Sequence, residues 1–340
     1  MNLRKSILLT LISLIGLMLS ACVAAVPADG GDSGGEMAGF VPTNPECIAP
    51  ADPGGGWDFT CRVPAAQVMP EIGVVDSMKV TNMSGGGGAI AMANVTSQRN
   101  DDENLIVAAS LATASRFAAN AYPVSPDDIR WLGAVGADFG VVAVKADSPI
   151  ETLDDLVASM QEDPTALTHV GGSDPGSIDH IKLLLLAKAA GVEDITQIKY
   201  IGFQGGGTAL IEIAGERGDV FSGDTSEVLG DLDAGNVRIL AVFAPDRIER
   251  LGDVPTALEL GYDVVVGNWR GFYAPGGISD EAYDYWVDAI QQVSSSEEWA
   301  TARAEGGLAP FESFGADFES FARAQIAETA DILRELGVIE

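Results

Sequence analysis

From Glu46 onward the chain repeats one unit: a short β-type run, a glycine-rich turn, then a helical pattern. Such alternation builds a mostly parallel sheet covered by helices, with ligands bound beyond the C-terminal ends of its strands. The first series predicts strands at 47–50, 77–83 and 105–109 and helices at 58–69, 89–97 and 112–120. Val-rich extended sequence, broken by Gly133, Gly136 and Gly140, fills 131–145. The second series opens at Thr152, an N-cap with Asp155 three residues on. It predicts strands at 167–170, 197–201, 220–222, 238–243 and 269–274. Its helices fall at 176–190, up to Glu216, and at 279–293, 296–304 and 315–336. Asp174 and Pro175 read as N-cap and first residue of the helix that stops at Gly191. Two such series in 340 residues predict two α/β domains, with the crevice between them as the default binding site.

Four turns share one logic: Gly54–Asp58, Ser84–Gly88, Gly171–Ser177 and Gly202–Thr208. Glycine admits positive φ and lets a ligand approach the backbone closely. The helix start that follows offers unpaired N–H donors and the positive end of the helix dipole. Together they form anion cradles that need no Lys or Arg. Two turns lie in each series, so they can face one another across a cleft. Each turn taken singly is also an ordinary connection, and only the set of four points to a ligand.

Charge sharpens this reading. With 19 Lys and Arg against 50 Asp and Glu, the chain carries −31 at neutral pH. Such a polyanion repels phosphate backbones, and no basic stripe offsets it, so nucleic-acid partners are excluded. An anionic ligand must be gripped by donors acting at short range. Nucleotide chemistry fits poorly: Gly54–Phe59 lacks the third glycine of a dinucleotide fingerprint, and no turn continues into Gly-Lys-Ser/Thr. Catalytic patterns are equally poor. Only His169 and His180 are present, the first read as packed within a strand and the second as a cleft-rim or solvated residue. Gly171–Pro175 misses the nucleophile-elbow pattern, and no His pair has metal-ligand spacing. No cofactor, metal or catalytic residue is expected.

Residues 1–22 read as a lipoprotein leader. Arg4 and Lys5 precede an apolar run, Ile7–Leu19, whose 13 residues are too few to span a bilayer. The run ends in Leu19-Ser20-Ala21-Cys22, which resembles the bacterial signal cleaved before a cysteine that receives lipid. Removing the leader's two cations takes the net charge from −31 to −33. Ordinary secretion with a free thiol is the other reading. Residues 23–45 hold five Gly and three Pro with no Lys or Arg, the composition of a flexible tether. Cys47 and Cys61 remain, and an exported compartment permits a disulfide between them.

Longer motifs carry a family resemblance. Cys47–Arg62, Asn82–Gly88, Gly172–His180, Gly202–Gly206, Val254–Tyr262 and Trp269–Pro275 occur in order and at matching spacing. The chain from about residue 44 to 340 resembles the tripartite tricarboxylate transporter substrate-binding proteins, the TctC or Bug family. The resemblance implies a type II periplasmic-binding-protein fold: two α/β domains joined by two crossing strands, about 44–140 with 268–340, and 141–267. It implies a monomeric receptor that captures a small carboxylate and hands it to a two-component membrane permease. Carried over by position, the ligand residues are Gly55, Gly56, Trp57, Asp58, Ser84, Gly85, Gly172, Ser173, Ser177, Phe203 and Gln204. Asp58 either caps its own helix or takes a ligand hydroxyl or amine; Trp57 and Trp269 are aromatic walls or plain core. Arg270 and Arg116 are candidates for a second carboxylate, or partners in internal ion pairs. A secreted α/β hydrolase and a ligand-free scaffold or adhesin are the competing classes.

Overall fold

The computed structural model describes residues 39–340, so the leader, Cys22 and the tether up to residue 38 lie outside the described part. Ten strands join one sheet. They are β1 (Glu46–Ala49), β2 (Lys79–Asn82), β3 (Leu105–Ser110), β4 (Ile129–Lys145), β5 (Thr168–Gly171), β6 (Lys199–Gly202), β7 (Val220–Asp224), β8 (Val237–Val242), β9 (Gly267–Pro275) and β10 (Ser313–Phe314). The helices are α1 (Gly56–Thr60), α2 (Met69–Glu71), α3 (Ala89–Gln98), α4 (Leu111–Ala118), α5 (Leu153–Glu162), α6 (Ile178–Ala189), α7 (Gly206–Ala214), α8 (Thr225–Asp233), α9 (Asp280–Ser294), α10 (Glu297–Glu305) and α11 (Gly315–Glu335).

The strand order is β2-β1-β3-β9-β4-β7-β5-β6, with β8 and β10 also paired to β4. Within each half the β-α-β units run parallel, while β9 and β4 run antiparallel to their neighbours. β4 serves both halves of this two-domain α/β fold. Its residues Ile129–Phe139 pair with β9, and Gly140–Lys145 pair with β7 and β8. The return passage lies beside it, where Gly140 N–H donates to Val266 O at 3.2 Å just before β9 begins. Every residue of β3 is buried, as the apolar run 105–109 in a covered sheet requires. One core packs the β1–β3 region against Trp286 and Trp299, and another surrounds Val142, Leu183 and Leu186. Helix α11 reaches both halves: Phe318 packs near Trp131 and Trp269, and Leu333 sits with Leu183 and Leu186.

The structure revises several sequence expectations. The glycines of 131–145 do not interrupt a strand; β4 runs unbroken for 17 residues. A Cβ at Gly133 would come within 2.8 Å of the Phe314 ring, so the missing side chain makes room for the segment that crosses the strand. The cap of α6 is Ser177 and not Asp174, whose carbonyl instead accepts from Ser177 N–H at 2.9 Å. The first helix begins at Gly56 and passes through a wide, π-type segment, Cys61–Val68, around Pro64, which has no N–H to donate. Residues 39–45, assigned to the tether, touch the folded body: Phe40 stacks edge-on with Tyr285 at 5.6 Å, and Thr43 N–H donates to Asn104. Helix α8 was not foreseen. Its signal is Asp224-Thr225-Ser226-Glu227, a capping box directly after an apolar run.

Cys47 and Cys61 form a disulfide with their Cα atoms 5.6 Å apart, tying β1 to the segment after α1. Both are fully buried. The loop it closes spans 14 residues, for which chain-entropy reasoning gives about 3 kcal/mol. Reducing it, or replacing both cysteines with serine, is expected to lower unfolding free energy in urea by about 2–4 kcal/mol. An unchanged midpoint in the reduced protein would refute that assignment.

Candidate functional site

Four of the helix starts that lack a side-chain cap follow the glycine turns. Helices α4, α5, α8, α9 and α10 are closed by side chains of their own: Ser110, Thr152, Glu227 in its box with Asp224, Ser279 and Ser296. Helices α1, α3, α6 and α7 follow the four turns, and none carries a side-chain cap. Three of these starts, at Gly56, Ser177 and Gly205, border one cavity of about 40 Å³. Gly205 sits at φ +144°, accessible to glycine but strained for other residues. A Cβ on Gly172 would run into the Gly206 backbone, so that turn needs glycine for close approach.

Of the residues expected to bind ligand, Gly56, Trp57, Gly172, Ser173, Ser177, Phe203, Gln204 and Arg270 line the cavity. Gly55, Asp58, Ser84 and Gly85 do not. Gly55 packs against Gly205 instead. The Asp58 carboxylate turns back on its own loop, accepting from Gly54 N–H at 2.9 Å, Asn82 Nδ2 at 2.8 Å and Arg62 Nε at 2.9 Å. Burial opposes its ionisation, but these donors outweigh it and hold its pKa below the ordinary carboxylate value. The Ser84–Gly88 turn reaches the cavity through Gly87, whose N–H donates to Gln204 Oε1 at 3.2 Å.

Trp57 borders the cavity and donates from Nε1 to Ser110 Oγ at 3.0 Å. Trp269 is core, packed edge-on against Trp131 and Phe318. Arg116 does not line the cavity; it lies 3.5 Å from Asp174 and donates to Gly86 O, bracing two turns. His169 is buried with Nδ1 3.3 Å from Lys199 O. His180 is half-buried: Nδ1 accepts from Gly176 N–H, and its ring stacks on Tyr200. Burial pushes both imidazoles down to about 4, so they are neutral at physiological pH. Ser173 Oγ accepts from Asp179 N–H and makes no bond to either histidine, which removes the hydrolase geometry.

The turns meet directly. Asp52 N–H donates to Gln204 O at 2.6 Å, Gln204 Nε2 donates to Asp174 Oδ1, and Ser115 and Ser177 hydroxyls lie 3.0 Å apart. The main-chain donors are not all free, as the cradle argument required. Glu227 Oε1 accepts from Gly56 N–H at 2.8 Å and from Gly206 N–H at 3.1 Å, while Oε2 accepts from Asp224 N–H. Sequence reasoning missed this residue together with the helix that carries it.

A buried ionic cluster lies behind. Arg270 Nη2 donates to Asp138 at 2.7 Å and Asp224 at 2.8 Å, so the internal ion pair takes that end of the guanidinium. Its Nε has no partner. Lys182 is fully satisfied by Asp179, Asp224 and Gly223 O. Asn268 Nδ2 completes the shell of Asp224 at 2.6 Å. Burial disfavours the ionised form of Asp224, but Lys182 and Arg270 hold its pKa low. Asp179 is shifted upward, by burial and then by the Asp224 charge. Burial, then the Asp224 and Asp179 charges, push Glu227 up to about 7 against the opposing pull of Arg270 and Lys182. Among the described residues no cluster has a metal-binding arrangement.

A model of the tripartite tricarboxylate transporter family receptor, TctC, matches residues 65–338, and the chain belongs to that family. Its members are solute-binding proteins, not enzymes. Protein BugT of Bordetella pertussis is 25% identical over 333 residues, which cover 96% of this chain and 97% of that protein. Solved structures show the periplasmic-binding-protein fold. MatC from Rhodopseudomonas palustris with bound malate superposes with a TM-score of 0.74 at 20% identity, over 85% of this chain and 98% of MatC. A second R. palustris protein, with adipate, gives 0.78 at 22% identity, over 86% and 97%. The periplasmic binding protein BugD gives 0.78 at 21% identity, over 88% and 99%.

The raised pKa of Glu227 sets a sign. Below about 4.5 both folded and unfolded chains hold its proton. Between 4.5 and about 7 only the folded protein keeps it, so stability falls as pH rises through that window. Glu227→Gln cannot ionise. Its melting temperature relative to wild type is expected to rise between pH 4.5 and pH 8 and to level off above; a pH-independent difference would contradict the assigned shift.

Proposed function

We propose that this protein is an extracytoplasmic receptor that encloses a small organic carboxylate between its two domains and delivers it to a membrane permease. The observation that carries the reading is the convergence of three glycine-turn helix starts and a buried arginine on one cavity. The positive ends of helix dipoles stabilise a carboxylate at close range, which a chain of net charge −31 requires. Malate in MatC and adipate in the second R. palustris protein support a carboxylate ligand. Gly172, Ser173 and Ser177 face Gly56 and Trp57, with Phe203, Gln204 and Arg270 completing the wall.

The domains divide at about 140/141 and 267/268, and closure proceeds about the two passages at Gly140 and Val266. The hydrogen bonds between Asp52 and Gln204 and between Gly87 and Gln204 belong to the closed form. Cys22 carries the lipid, and the following segment tethers the receptor to the membrane; no helix among the described residues is long and apolar enough to cross it. The receptor acts as a monomer without a cofactor.

Thermal melts against mono-, di- and tricarboxylates, with amino acids alongside, test the reading. A ligand at 100 times its Kd adds about 2.7 kcal/mol to unfolding. Melts unmoved by every organic acid in the panel, with none co-purifying, would sink it. Recovery of the ligand unchanged by mass spectrometry is expected of a binder.

A further inference from the structure

Charge around the cavity is unbalanced in one direction. Four acids, Asp138, Asp179, Asp224 and Glu227, meet two bases, Lys182 and Arg270. Lys182 spends its donors on Asp179, Asp224 and Gly223 O, and one end of Arg270 is held by Asp138 and Asp224. Asp179 is 3% exposed and lines the cavity. Its Oδ1 accepts from Lys182, and Ser173 adds a hydrogen bond to the carboxyl group. Glu227 already fills the facing amides of Gly56 and Gly206 with a carboxylate from the chain itself. A di- or tricarboxylate entering here would meet occupied donors and like charge.

A single carboxylate still has a seat. Arg270, 2% exposed, lines the cavity with Nε unpartnered, and the start of α6 borders it too, with Asp179 N–H taken by Ser173 Oγ and the Ser177 hydroxyl paired with Ser115. One positive pole and one negative pole therefore share a small enclosure. We propose that Glu227 is the specificity-determining residue: with its carboxylate in the glycine cradle, the site takes a ligand bearing one carboxylate and one cationic nitrogen, and rejects polycarboxylates. The carboxylate lies toward Arg270 and the start of α6. The ammonium lies toward the Asp179 and Glu227 carboxyl groups, where it supplies the positive charge the cluster lacks.

This inference rests on the receptor reading, and paired ligands separate the two. Isothermal calorimetry on the intact protein at pH 8 compares succinate with β-alanine and glutarate with 4-aminobutyrate, each pair exchanging one carboxylate for an amine. The amino members are expected to bind at least tenfold more tightly. At pH 7 their binding should release protons from Glu227, because an ammonium beside it favours the carboxylate over the acid; heats measured in buffers of different ionisation enthalpy report that release. The groups facing Glu227, namely Asp224, Asp179, Lys182 and Arg270, are otherwise unchanged by the ligand exchange. Glu227→Gln should shrink the preference at least tenfold and abolish the proton release, which a purely structural role would not do. If that variant fails to fold, Asp179→Asn should shrink the preference as well. Tight binding of succinate or glutarate with no binding of the amino members would overturn the inference and leave the receptor standing. Equal binding within each pair, or a preference untouched by both variants, overturns it too. Binding of none of the four, or of any other organic acid, overturns both.

Discussion

One carboxylate joins the parts of the site. Glu227 accepts from Gly56 at the start of α1, from Gly206 at the start of α7 and from Asp224 at the start of its own helix. Gly56 lies 171 residues from Glu227 and Gly206 lies 21 residues from it, so one side chain joins segments remote in sequence. The bond set depends on glycine. A Cβ on Gly206 would lie 2.5 Å from the Glu227 carboxyl carbon, and one on Gly56 would collide with the Arg270 guanidinium. The turns that invite an anion thus also position the acid that fills them.

The same interaction explains why a buried cluster with surplus acid persists. Ionised side chains are expensive away from water unless hydrogen-bonded and paired. Asp138 and Asp224 meet this condition through Arg270, Ser226, Asn268 and Lys182. Glu227 is held by backbone donors alone, and burial, then the Asp224 and Asp179 charges, raise its pKa. Polar groups left incompletely paired in an otherwise satisfied interior mark the places where an incoming ligand finds partners.

Much of the fold was readable because it follows local rules. β3 reads as a continuous apolar run, and Thr152 with Asp155 announces α5. The four glycine turns stood out by their repetition, and seven of the residues carried over from the family motifs border the cavity. The failures share a cause. Asp58 was legible as an acid near a glycine turn, but whether it faces the ligand or its own loop depends on Asn82, which sits on a different strand. Arg270 was legible as a cation near the crevice, but its two acid partners lie 132 and 46 residues away.

Sequence alone determined the alternation of strand, turn and helix, the glycine turns that precede four helix starts, and the family, because each depends on neighbours along the chain. It also determined the overall charge that forces any anion to be held at short range. Tertiary structure decided which of those helix starts converge, which acids and bases cancel, and that a chain carboxylate lies across the glycine amides. Electrostatic energies in a buried site vary with distances of a few ångströms between residues remote in sequence, and only folding sets those distances.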